Sequence, residues 1–233
     1  MTILRRTLKL LIVSLSLLTC RLSSAAIVQF SANGGGEIAD ADTTVFEFTI
    51  SSEARMIRFM GENLTLMLIG VDHPFLGDLE VSLTHVPSNT IATAFYRVGA
   101  QNNTEFGYAA NLSGNYSFNS GAVDNLWDFG AGLGDADAVP NGLYVTTGAF
   151  SSNANDFSRA FNGLNPSGVW RLTVTDHEAD PGNAEFQALT NWALALNLED
   201  STLTPESGTL SLGALGIIGF IVAGRLRLLS AGR

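Results

Sequence analysis

Two short stretches concentrate the side chains that could do chemistry. Asp72-His73-Pro74-Phe75-Leu76-Gly77-Asp78 brings two carboxylates and an imidazole together around one turn. Asp176-His177-Glu178-Ala179-Asp180-Pro181-Gly182 alternates acids around a second histidine. Alternating carboxylates suit a hard cation that takes oxygen ligands, so Ca²⁺ is the candidate cofactor. Its candidate ligands are Asp72, Asp78, Asp176, Glu178 and Asp180. The second stretch is not an EF-hand, because Pro181 stands at the sixth position, where that loop needs glycine, and Gln187 at the twelfth. Asp78 has a competing structural role, capping the turn at Gly77.

Hydrolytic chemistry has weaker support. The histidines are His73, His85 and His177, but no Gly-x-Ser-x-Gly elbow and no His-Glu-x-x-His accompanies them. His85 falls on the inward face of a strand and reads as a core histidine. No residue is assigned a catalytic role, and the chain is expected not to be an enzyme.

These loops must be positioned by strands. Leu79, Val81, Leu83 and His85 alternate with Glu80, Ser82 and Thr84, the period of a half-buried strand. Phe46, Phe48 and Ile50 repeat the pattern in 45–50, and Ile27–Phe30 and Thr90–Tyr96 read as further strands. Asn63–Ile69 is apolar on both faces, which predicts a central strand covered on both sides. Trp170, Leu172 and Val174 face inward in 169–175, as do Trp192, Leu194, Leu196 and Leu198 in 190–198. Two inward tryptophans on neighbouring strands would anchor a sandwich core. The Gly/Asn/Asp-rich span 98–142 carries scattered aromatics and reads as long packed loops with short edge strands. The expected fold class is all-β, an antiparallel β-sandwich of jelly-roll type.

Composition narrows the function classes. Between residues 27 and 204 there are five basic residues against 21 acidic ones, a formal charge of −16. Such a surface repels phosphate backbones, which excludes nucleic acid as a partner. The ends read as targeting segments. Residues 1–26 carry Arg5, Arg6 and Lys9, an apolar run from Leu10 to Leu18, and a small-residue stretch ending at Ala26, the pattern of a signal peptide. Cys20 lies inside it, so the mature chain has no cysteine; as the lipidated residue of a lipoprotein signal it would follow Thr19, bulkier than such a site prefers. The domain spans 27–199, and 200–208 is a polar spacer. Residues 209–229 are expected to form a membrane anchor: Thr209–Gly224 is free of charge and Arg225 and Arg227 follow. A helix over that charge-free run spans about 24 Å, and the arginines can snorkel to make up a hydrocarbon core of about 30 Å.

Three motifs in order resemble the P domain (P/homo B domain) that accompanies the catalytic domain of kexin- and furin-type proprotein convertases. They are His73 leading through Gly77-Asp78-Leu79 into a strand, Gly168-Val169-Trp170 leading to Asp176, and the closing strand with Trp192. The likeness covers about residues 36–198, and the long 98–142 region departs from it. It implies that these residues are structural signatures, with His73 holding its turn by hydrogen bonds. It also implies an alternative role, a stabilising partner of a separately encoded subtilisin-like protease. The tail resembles a PEP-CTERM sorting signal through Pro205 and Glu206, without the second proline, which implies an exosortase-type processing partner.

The reading is therefore a non-catalytic, exported, surface-attached module of a bacterial envelope or extracellular matrix, with polysaccharide or a surface protein as candidate partners. A further alternative is a carbohydrate-binding jelly roll using Tyr108, Tyr116 and Trp127 as stacking platforms, although packing the loops onto the sandwich is the commoner role for such aromatics.

Overall fold

Alternating apolar positions become strands wherever both a partner strand and a core are within reach. The computed structural model describes residues 25–58, 63–135, 137–179 and 187–200. In chain order the strands are β1 (Ala26–Ser31), β2 (Gly36–Glu37), β3 (Thr43–Ile50), β4 (Met56–Ile57), β5 (Leu64–His73), β6 (Leu79–His85), β7 (Thr90–Tyr96), β8 (Leu112–Asn119), β9 (Gly142–Val145), β10 (Gly168–Asp176) and β11 (Ala188–Glu199). Two short helices, α1 (Leu126–Gly130) and α2 (Phe157–Ala160), interrupt them. Of the expected signal peptide 1–26, residues 1–24 lie outside the described residues, as do the expected spacer beyond Asp200 with Pro205 and Glu206 and the expected anchor 209–229. Among the described residues no helix is long and apolar enough to cross a membrane.

The strands form two sheets packed as a sandwich. The larger runs β1-β11-β5-β8-β9, with β2 and β4 also paired to β11, and the smaller runs β3-β10-β6-β7. Leu64, Leu66, Trp192, Leu194 and Leu196 of the larger sheet and Leu83, Phe95, Trp170 and Leu172 of the smaller are fully buried between them. Rings meet across the gap, Phe48 with Trp192 at 4.6 Å and Phe95 with Phe118 at 5.1 Å. Each buried large side chain contributes about 1.5–3 kcal/mol of transfer free energy.

Four expectations are corrected. The tryptophans are not on neighbouring strands: Trp170 is in the smaller sheet and Trp192 in the larger, because period-two alternation reports a face and not a sheet. The span 98–142 contains β8, an eight-residue strand inside the larger sheet, where Gly114 (φ 150) takes an inward position and leaves a gap in the apolar face. The sandwich is not wholly antiparallel, since β8 and β9 run parallel. Their connection through α1 is a crossover rather than a hairpin, which makes a parallel pair possible. Finally, β5 is covered on one face only: Leu64, Leu66 and Leu68 are buried while Met67 and Ile69 stay partly exposed.

Candidate functional site

The first candidate stretch is split by strand geometry. β5 continues through His73, and a 3-10 turn at Leu76–Asp78 then leads into β6. Successive strand residues point to opposite faces, so Asp72 is exposed and His73 is buried. Gly77 lies against another backbone: its N–H donates to the Tyr108 carbonyl at 2.9 Å, and a Cβ there would collide with Gly107. Neither Gly107 nor its role was legible from residue type.

His73 is the centre of the arrangement. Its Nδ1 accepts the Phe75 backbone N–H at 3.2 Å, so the ring proton sits on Nε2 and is donated to Asp176 Oδ2 at 3.3 Å. Both side chains are 1% exposed. Asp176 Oδ1 accepts the Glu178 N–H at 3.2 Å, and the Asp176 N–H donates to the Asp42 carbonyl at 3.0 Å. In triad chemistry a carboxylate orients one imidazole nitrogen and leaves the other to act as base. Here the second nitrogen of His73 is occupied by a backbone amide.

Around this pair the second stretch is tied down. The His177 N–H donates to the Asp78 carbonyl at 2.9 Å, and His177 Nε2 pairs with Glu80 Oε2 at 3.0 Å. Arg97, buried and at φ 37, donates from Nη2 to Glu178 Oε1 at 2.8 Å and to the Glu105 carbonyl at 3.0 Å, and from Nη1 to the Asn103 carbonyl at 3.1 Å. Its place was missed in the sequence, although a lone arginine amid so many acids is a usable signal.

The candidate calcium ligands do not converge as expected. Asp176 and Glu178 meet at the rim, but they engage His73 and Arg97. Asp78 is buried and partnered. Asp72 faces away on β5, and Asp180 lies outside the described residues. Among the described residues no group of three or more His, Cys, Asp or Glu is placed to hold a metal ion.

Of the aromatic candidates, Tyr116 is interior, and Tyr108 and Trp127 are partly buried. Tyr116 is 1% exposed; its hydroxyl donates to the Val139 carbonyl at 2.9 Å and accepts the Ser113 N–H at 3.0 Å. Burial pushes its phenol pKa up, and that of neighbouring Tyr144 rises to about 12, first by burial and then by the Tyr116 and Asp124 charges. Tyr108 and Trp127 pack edge to face at 6.1 Å against the core. They form the small core of the 98–142 region, which explains why a Gly/Asn-rich span carries aromatics at all.

The remaining signature residues are structural too. Gly168 (φ 115) approaches Pro87, and the Trp170 indole donates to the Pro166 carbonyl at 2.8 Å. His85 lies against Trp170 at 4.7 Å, with Nδ1 at 2.8 Å from Ser88 Oγ and Nε2 at 3.2 Å from the Ser167 carbonyl. Burial lowers its pKa, and the bond to Ser167 partly offsets the shift.

Neither a protein-family model nor a curated protein matches this sequence. Among solved structures, the Aeromonas sobria serine protease in complex with its chaperone is distantly similar. The TM-score is 0.41 at 16% identity, over 81% of this chain and 29% of that one. The same serine protease solved without the chaperone has a TM-score of 0.38 at 17% identity, over 78% of this chain and 28% of that one. The chain thus spans under a third of the protease's length.

Proposed function

We propose that the chain is a non-catalytic β-sandwich module, exported and held at the cell surface, acting through its folded surface in the envelope or extracellular matrix. The observation that supports this most is the state of His73. Nε2 joins two strand ends through Asp176 and Nδ1 is taken by the Phe75 N–H of the following turn, so the densest cluster of reactive side chains serves as a clamp. The signal-like N-terminus and the apolar, arginine-ended tail support export and attachment. The experiment is fractionation of cells expressing the full chain or a chain ending at residue 204. The full chain is expected with the envelope and accessible to external protease, and the shorter chain in the medium.

The P-domain-like motifs favour a second reading, a partner that stabilises a separately encoded subtilisin-like protease. Co-expression separates the two readings. A protease whose yield of active enzyme rises several-fold only with this chain supports partnership, and an unchanged yield supports the first reading.

A further inference from the structure

The outer face of the larger sheet differs in charge from that of the smaller sheet. Strand pairing aligns Ser31, Ala193, Met67, Ser117 and Leu143 as one row across β1, β11, β5, β8 and β9. Adjoining rows present side chains of the same kind, apolar, hydroxyl or amide. Between Asp72 at one end of the face and Glu199 at the other, no outward position on these strands is charged. The outer face of the smaller sheet, by contrast, carries Glu47, Arg171 and Glu80. At one corner the Ser120–Asp124 turn covers Asn119 and Val145, through Gly121 N–H to Asn119 Oδ1 and Val145 N–H to the Asp124 carbonyl. The centre keeps Met67 and Ile69 partly exposed.

We infer that a second copy of this chain covers that face, sheet against sheet about a twofold axis. The first argument is the sequence of β5. Its apolar residues on both faces are the pattern of a strand buried on both sides, and the described elements of one chain bury only one. The second is charge. A domain at −16 repels its own copy over most of its surface, and this face lets two copies approach without opposing like charges. The third is area. Five strands about 4.8 Å apart, with outward residues about 6.7 Å apart along each, make a patch of about 24 by 20 Å. With the covered corner at Asn119 and Val145 taken off, two such patches bury somewhat under ~1,000 Å², the size of a weak, concentration-dependent interface. Ala193 is already fully buried among its neighbours, and the small side chain of Ala195 allows facing sheets to approach the usual spacing of about 10 Å.

Sedimentation of the full chain in a mild detergent tests this, with each variant's fold checked by circular dichroism. The wild-type chain is expected to be a dimer. Met67→Glu and Gln29→Glu should each weaken association by about tenfold or more, since they place charges against an uncharged partner. Gln29 is exposed, so its substitution leaves the core intact. Val45→Glu, on the exposed face of the smaller sheet, should leave the dimer unchanged. A monomer at tens of micromolar overturns the proposal, whether the face is then covered by the chain's own tail, by polysaccharide or by nothing. A dimer that survives both Met67→Glu and Gln29→Glu overturns it as well, and points to association through the tail.

Discussion

His73 Nε2 donates to Asp176 Oδ2 at 3.3 Å, joining the last residue of β5 in one sheet to the last residue of β10 in the other. A buried bond between sheets fixes their relative position at this rim. It also accounts for a buried histidine at a turn that performs no chemistry in the reading proposed here.

Removing the imidazole leaves a buried carboxylate without that partner, which costs more than the bond itself contributes. His73→Ala is therefore expected to lower stability by about 2–4 kcal/mol in urea denaturation. Asp176→Asn should also destabilise, by about 1–3 kcal/mol, because its one amide oxygen replaces only one of the two acceptors and its NH2 then faces a donor, either His73 Nε2–H or the Glu178 N–H. An unchanged midpoint for His73→Ala would remove the clamp from the account.

Gly77 of the 3-10 turn and Gly107 of a loop touch backbone to backbone, so a side chain at either must displace the other segment. Gly77→Ala is expected to destabilise by about 2–4 kcal/mol through overpacking. Gly148→Ala, where nothing lies within 4 Å of the added carbon, should be nearly neutral. Equal thermal midpoints for the two variants would contradict the close approach.

Much of the sandwich was legible because β3, β6, β10 and β11 each show one apolar face over many residues, and burial on one side writes that pattern directly. What stayed hidden has physical causes. β8 puts Gly114 at an inward position opposite Val71, beside the bulge at Ile69 and Gly70 of β5, so its apolar face has a gap in the middle. The placement of Trp170 and Trp192 in facing sheets depends on where the chain crosses between layers, which a local period does not carry. Around His73 the residue types were visible at once, yet their use was not. Asp72 and His73 are adjacent in sequence and opposed in space, while Asp176 is remote in sequence and in contact. Among the aromatics of 98–142, Tyr116 is buried while Phe106 is exposed, a difference that composition does not carry because exposure on a loop and burial beneath one look alike there.

His85 supplies a pH signature. Burial lowers its folded pKa below the ordinary value of 6.5, so below that pH the unfolded chain binds more protons than the folded one. Its contribution is complete above about pH 6.5 and is lost as the pH falls towards the depressed folded value. His85→Gln is expected to flatten the stability profile in that window relative to the wild-type chain. Parallel profiles would contradict a neutral, buried His85.

Glu53 marks a lower window. Arg55 donates from Nε to Oε1 at 2.9 Å and from Nη2 to Oε2 at 2.7 Å, which holds the carboxyl at about 2, well below 4.5. The stabilisation is present above about pH 4.5 and lost as the pH falls through 2. In an NMR titration, Arg55→Ala should return Glu53 to the ordinary carboxylate range. A titration near 2 in that variant would show that Arg55 is not the cause.

The central claim is that this sandwich works outside the cell, attached at its surface, through its folded faces. The most direct measurement is protease shaving of intact cells followed by fractionation, comparing the full chain with one ending at residue 204. The account predicts a full-length chain that pellets with the envelope and is removed by external protease, and a shortened chain recovered folded from the medium. A full-length chain that remains in the soluble cytoplasmic fraction, protected from the protease, would contradict it.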